Sequence, residues 1–175
     1  MGKRWQIFVP LLVLTLAVMA ALNVVDGPLK TGTAPRGIVS YELAGSVAGA
    51  RAILDAWDPQ AHVYAGFSLG FVFLFLVFYS VTIAYACVWV SGGLQGFWRP
   101  LASAGLLLAW GQGVAALCDA IENAALLVML LGAAAVPWPQ VARGCATVKF
   151  TLVFLGLVYV VVGGVWVAVG ARRSS

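Results

Sequence analysis

Four long apolar runs, separated by short clusters of polar, glycine and proline residues, dominate the chain. They predict helices over about 5–25, 62–90, 101–131 and 141–170, each at or above the roughly 20 residues needed to cross a bilayer. Pro10 falls in the first turns of the first run, where it interrupts little helical hydrogen bonding. That run also fits a signal peptide, with a basic start and a cleavage site at Val18-Met19-Ala20. A retained helix is expected instead, because the apolar run continues past Ala20. Asp58-Pro59 suits an N-cap followed by the first helical position, so the second helix opens there. Ser91-Gly92-Gly93 reads as its end, and Pro137-Trp138-Pro139 marks the loop before the fourth helix.

Between the first two runs lies the one extended segment of mixed polarity, 26–60. Turn residues open it: Asp26-Gly27-Pro28, then Thr31 to Pro35. From 37 to 57, Val39, Leu43, Val47, Ala50, Leu54 and Trp57 recur at steps of three and four, with Arg51 and Asp55 pointing away. This predicts one amphipathic helix lying on the membrane surface or capping the bundle. Glu42 falls at the edge of its apolar stripe, which predicts a solvated rim carboxylate ahead of one turned to the bundle mouth.

Composition sharpens the class. Of 175 residues, 63% are hydrophobic and 9% charged, against about 25% charged in soluble domains. The fold class expected is an all-α membrane protein. It would form one integral domain over 1–175, a four-transmembrane-helix bundle with an amphipathic helix in its first extracytoplasmic loop. A net charge of +4 with no basic stripe excludes a nucleic-acid partner. Cys87, Cys118 and Cys145 form no Cys-x-x-Cys pair, and His62 is the only histidine. Neither a metal site nor a cofactor is indicated. Lys3, Arg4, Arg99, Arg172 and Arg173 would flank the cytoplasmic ends, with Lys30, Arg36, Arg51 and Arg143 spread over the longer outer loops. Both termini are therefore expected in the cytoplasm. Trp5, Trp89, Trp98 and Trp166 would mark one membrane interface, and Trp57 and Trp138 the other.

The candidate chemistry lies in the third run. Asp119, Glu122 and Asn123 stand well inside it, with Gln112 two turns earlier. Polar and ionisable groups in hydrocarbon are costly and rarely occur without a partner or a purpose. A small-residue face through Gly105, Ala109, Gly113, Ala116 and Ala120 points Asp119 and Asn123 into the bundle and leaves Glu122 near its edge. On the fourth run Cys145, Lys149, Gly156 and Gly163 share a face. Counting outward from a loop centred near Val136, Lys149 falls level with Glu122 and Asn123, and Asp119 lies about one turn deeper. Two carboxyls facing one lysine leave acid in excess, and burial disfavours a charged carboxyl. A buried ion pair that fixes helix register and a polar site lining a cavity predict the same residues.

The stretches GIVSYELAG (37–45), AILDAW (52–57), DAIEN (119–123) and VKF (148–150) resemble an uncharacterised family of bacterial four-helix integral membrane proteins. The resemblance covers nearly the whole chain after the first helix. It implies the bacterial cytoplasmic membrane and singles out Glu42, Asp119, Glu122, Asn123 and Lys149, with no activity attached. The layout is also similar to that of emopamil-binding-type four-helix proteins, an analogy of architecture alone. The function expected is binding of a lipid or lipid-like small molecule, or service as an accessory subunit of a larger membrane complex. Two other classes stay open. One is an acid/base isomerase on a lipid-soluble substrate, with Asp119 or Glu122 as the catalytic group. The other is a proton-coupled carrier working as a dimer, a homo-oligomer of this chain.

Overall fold

The computed structural model describes residues 2–96 and 98–173, with side chains described for 4–96 and 98–169. The side chains of Lys3, Arg172 and Arg173, used above to orient the chain, lie outside them. Among the described residues the protein is all helical: α1 (Gly2–Val25), α2 (Ile38–Glu42), α3 (Val47–Ala56), α4 (Pro59–Leu94), α5 (Arg99–Leu130) and α6 (Trp138–Arg173), with a 3-10 turn at Gly27–Leu29. Four of these, α1, α4, α5 and α6, are long and apolar enough to cross a membrane. Their polarity is inverted relative to a soluble helix. On α5, Gln112, Asp119, Glu122 and Asn123 are buried, while Leu107, Trp110, Val114, Leu117 and Ile121 are exposed. In water such a helix would expose its apolar face and desolvate its polar one; in lipid both faces are matched to their surroundings.

The long helices run further than the sequence indicated. Asp58 caps α4, its carboxylate accepting the Ala61 N–H at 2.7 Å, so the helix starts at Pro59. At the other end α4 continues through Ser91-Gly92-Gly93 to Leu94. These residues do not stop the helix; they allow close packing. A Cβ on Gly93 would stand 2.8 Å from Val167 Cγ2, and the Ser91 hydroxyl donates to the Ala102 carbonyl at 2.7 Å. The Gly66/Gly70 pair, a Gly-x-x-x-Gly spacing that permits close helix contact, behaves differently. Gly66 would meet Leu130 at an ordinary 3.8 Å, and Gly70 has no neighbour within 4 Å. α6 begins at Trp138 because Pro139 is tolerated in a first helical turn.

The contacts divide the chain into two compact units: Met1–Thr15, Val77–Ala116 and Lys149–Ser175 form the first, Leu16–Leu76 and Leu117–Val148 the second. In the first, Trp5 lies edge-on to Trp89 at 4.8 Å between ring centroids, and Trp98 faces Trp166 at 6.4 Å. Trp5, Trp98 and Trp166 are more than half exposed, as amphipathic rings at a membrane interface should be.

The second unit contains a folded cap and an apolar core. The single helix expected over 37–57 is two, α2 and α3, separated by Leu43–Ser46. Gly45 takes a φ of 66°, which no continuing helix adopts. Ser46 then restarts the chain as an N-cap, its Oγ accepting the Gly49 N–H at 3.0 Å. The break shifts the phase of the pattern. Ile38, Tyr41, Ala50, Ile53 and Trp57 are buried, whereas Leu43 is exposed. Trp57 is not an interfacial residue. It is 4% exposed, packs edge-on to Tyr41 at 5.3 Å, and donates its indole N–H to the Leu29 carbonyl at 3.0 Å. The Arg51 guanidinium donates to the Ala134 carbonyl at 3.1 Å, tying α3 to the loop between α5 and α6.

Asp26 fixes the entry to the cap. Its Oδ1 accepts the Ile38 N–H at 2.8 Å, and a side chain at Gly37, whose φ is 57°, would collide with the same carboxylate. Burial pushes the Asp26 carboxyl above its ordinary value, against the opposing influence of the Ile38 N–H and of Lys30. The folded state then binds the Asp26 proton more tightly than the unfolded state. Its contribution therefore falls as pH rises from the ordinary carboxyl value through the raised one, and is restored on acidification. Asp26→Asn keeps an acceptor for Ile38 and cannot ionise, so it should hold the cap closed without this pH dependence. Asp26→Ala loses the acceptor and should weaken the cap by about 1 kcal/mol. Hydrogen exchange over 26–42 at pH 4 and pH 7 checks both, and equal protection in Asp26→Ala and wild type would refute the anchoring role.

Candidate functional site

The buried seam of α5 steps by sevens. Gly105, Gln112, Asp119 and Leu126 form one row, and Ala115, Glu122 and Met129 form another. A spacing of seven returns to the same face of a helix after two turns. The face drawn from the sequence advanced mostly by fours, and each such step drifts by about 40°. Gly113, placed on that face, is exposed. Glu122, placed near its edge, has no exposure at all.

Asp119, Glu122, Asn123 and Glu42 all belong to the second unit, and each is at least nine-tenths buried. Glu42 is 6% exposed, so it is not the solvated rim carboxylate that the pattern favoured. Its neighbour Tyr41, which the sequence reading passed over, explains the burial. The Tyr41 hydroxyl donates to the Leu126 carbonyl at 3.2 Å. Leu126 lies one turn beyond Glu122, so α2 is held against the turn of α5 that carries the acids. The tyrosine in GIVSYELAG was the available signal: an aromatic hydroxyl beside a carboxylate on an otherwise apolar turn. Burial drives the Tyr41 phenol above its ordinary range, so it remains a neutral donor.

Asn123 is joined to Asp119 one turn before it. Its Nδ2 donates to the Asp119 carbonyl at 2.7 Å and to Asp119 Oδ1 at 2.8 Å. Both partners are acceptors, which fixes the orientation of the amide. The Asn123 Oδ1 is consequently turned away from Asp119, buried, and without a hydrogen-bond donor. Glu42, Asp119 and Glu122 are each engaged in polar or electrostatic interactions. Among the described residues no three His, Cys, Asp or Glu side chains converge as a metal site.

No protein-family model, no curated protein and no solved structure matches the chain. Function is therefore read from residues and geometry.

The remaining two residues singled out by sequence belong to the first unit. Gln112 is fully buried; its Nε2 donates to the Leu152 carbonyl at 3.0 Å and to the Leu108 carbonyl at 3.3 Å. Gly156 makes room for it, since a Cβ there would lie 2.7 Å from Gln112 Nε2. Gln112 thus joins α5 to α6 as a packing element. Lys149 is 6% exposed, its ammonium 4.7 Å from the centroid of the Phe150 ring. Ala142, Lys149, Gly156 and Gly163 are buried residues at sevens along α6. His62 takes part in the local structure at the start of α4, with its Nδ1 3.0 Å from the Asp58 carbonyl.

Proposed function

We propose that this is a four-helix integral membrane protein that binds a lipid or small amphiphile, holding its polar head at Asp119, Glu122 and Asn123 beneath the cap that carries Tyr41 and Glu42. The observation behind this reading is the Asn123 Oδ1, a buried acceptor left without a donor on the stretch of α5 that also buries Asp119 and Glu122. Scaffolding alone favours complete hydrogen bonding, since an unmet buried acceptor costs on the order of 1–3 kcal/mol. A site that exchanges its occupant must instead keep part of its hydrogen-bonding capacity for that occupant. The apolar core under the cap, formed by Leu29, Tyr41, Ile53, Trp57, Leu69, Leu126 and Met129 among others, provides surroundings suited to an amphiphile's tail.

Asp119→Asn tests the reading. The change preserves shape and removes the charge. Native mass spectrometry of protein released from gentle detergent should show a retained amphiphile on the wild type, and loss of most of it from Asp119→Asn at unchanged helix content. Wild-type protein that carries no amphiphile, or a variant that retains it in full, would leave register fixing as the better account.

The same reading places both termini in the cytoplasm and the cap outside, as the charge bias of the flanks suggests. Reporters fused after Gly93 and after Arg173 should then give cytoplasmic signals, and one within 31–35 an external signal. A cytoplasmic signal from 31–35 would invert the topology.

A further inference from the structure

Charge is segregated along the chain. All six carboxylic side chains, Asp26, Glu42, Asp55, Asp58, Asp119 and Glu122, fall in the second unit. The first unit holds six bases, Lys3, Arg4, Arg99, Lys149, Arg172 and Arg173, and no acid. Lys149 is buried, whereas Arg4 and Arg99 are exposed. Packing brings these two exposed arginines to one end of the unit. The Tyr85 hydroxyl donates to the Arg4 carbonyl at 3.4 Å, and Trp5 meets Trp89 edge-on, so the start of α1 is fastened to the last part of α4. Gly93 of α4 lies close against Val167 of α6, and Trp166 of α6 faces Trp98, the residue before Arg99.

Arg4 has a defined place there. Its Nη1 lies 3.3 Å, and its Nη2 3.9 Å, from where a Cβ on Gly92 would stand. The guanidinium therefore rests on the α4 backbone, in space that a larger residue would fill, and remains exposed. Trp5, Phe8 and Trp89 meet edge-on beside it, with ring centroids 4.8 to 6.1 Å apart. A helix start favours negative charge. The first turns of α1 and α5 instead carry Arg4 and Arg99 and no acidic residue, so each cation adds to the positive end of its own helix. No acid in the unit can balance them, and an anion from outside the chain meets guanidinium and helix start together. The aromatic rings suit the boundary between headgroups and acyl chains. A phospholipid with a net negative head supplies its charge at that depth. A phosphocholine head brings a phosphate already balanced by its own cation, and is attracted less.

We propose that this end of the first unit is a docking surface for anionic phospholipid, with the Arg4 guanidinium on Gly92 binding the lipid phosphate and Arg99 adding to the attraction. It does not depend on the amphiphile site of the second unit.

The purified full chain in bilayer nanodiscs of equal parts dioleoylphosphatidylglycerol and dioleoylphosphatidylcholine tests this, with the lipids it retains read by native mass spectrometry. The glycerol lipid should be retained at least about fivefold over the choline lipid, the gain from one basic side chain near an anionic surface. Arg4→Gln should remove most of this preference, and Arg99→Gln part of it, at unchanged helix content. Arg36→Gln, which changes an exposed arginine of the second unit, should leave it intact. Gly92→Val separates position from charge: it keeps Arg4 but fills its resting place, and should also lower the preference. Excess inorganic phosphate should not displace the lipid. Equal retention of the two lipids, a preference unaltered in Arg4→Gln, or one reduced as much by Arg36→Gln would overturn the assignment. A preference intact in Gly92→Val would leave a diffuse positive field in place of a positioned guanidinium and overturn the role of Arg4. Displacement by inorganic phosphate would make the surface a site for free phosphate and overturn its assignment to lipid.

Discussion

Trp57→Ala should cost about 3–5 kcal/mol, the range for truncating a large buried aromatic side chain. Two contributions are involved. The ring is 4% exposed and packs against Tyr41, so its removal opens a large space at the centre of the cap core. The indole N–H donates to the carbonyl of Leu29, itself a fully buried residue, and that carbonyl loses this donor. Trp57→Phe separates the two. It keeps most of the packing and removes the donor, with an expected cost of about 1–2 kcal/mol. Denaturant titration in maltoside micelles, followed by near-ultraviolet circular dichroism, gives both values. Hydrogen exchange over 27–57 localises them, with protection lost mainly across the cap. An interfacial tryptophan facing headgroups would lose only a few tenths of a kcal/mol. Trp57→Ala with wild-type stability would therefore return Trp57 to the membrane surface and deny the cap a packed core.

What the sequence made legible, and what it did not, follows from the range of each signal. The four long helices were readable because hydropathy over some twenty residues is insensitive to the phase of any one side chain. The buried polar group was readable for a related reason: Asp119, Glu122 and Asn123 stand in an apolar run where charge has no cheap alternative to burial. Phase was the weak point. A helical wheel carried from 37 to 57 assumes one unbroken helix, and a single positive φ at Gly45 resets it. The stripe therefore selected Leu43, which is exposed, and passed over Ile53, which is buried. On α5 a stripe advancing mostly by fours drifted away from the seam that the heptad rows of Gln112–Asp119–Leu126 and Ala115–Glu122–Met129 follow. Glycine was ambiguous in principle, because the residue that ends a helix is also the residue that lets a neighbour approach. Gly93 serves the second purpose, against Val167. The burial of Glu42 goes with a long-range bond from its neighbour Tyr41 to α5, and although the tyrosine beside the carboxylate was a local signal, its partner 85 residues away was not.

Lys149→Met should destabilise the protein by about 3–5 kcal/mol, the cost of breaking a buried ion pair on one side, as the register read from the sequence expects for Lys149 and Glu122. Lys149 is the one buried base among the described residues, against three buried acids. Removing it takes away the positive charge and leaves all three carboxyls in place. Methionine matches the volume and length of the lysine stem, so packing changes little and the loss measures charge. A second substitution that neutralises one acid should then restore part of the loss, because the variant again has fewer buried charges to accommodate. The register read from the sequence, with Lys149 and Glu122 equally far from the loop at Val136, selects Glu122→Gln as the strongest compensator. Glu42→Gln and Asp119→Asn in the same Lys149→Met background provide the comparison, each measured with its own single variant so that the coupling energy is isolated. The expected order is that Lys149→Met with Glu122→Gln is the most stable of the three doubles and more stable than Lys149→Met alone. If Lys149→Met unfolds at the wild-type midpoint, the ammonium is not balancing these acids. If Glu42→Gln or Asp119→Asn compensates better than Glu122→Gln, the register assigned to Lys149 is wrong by about a turn, and the acid it balances is the one whose neutralisation restores stability.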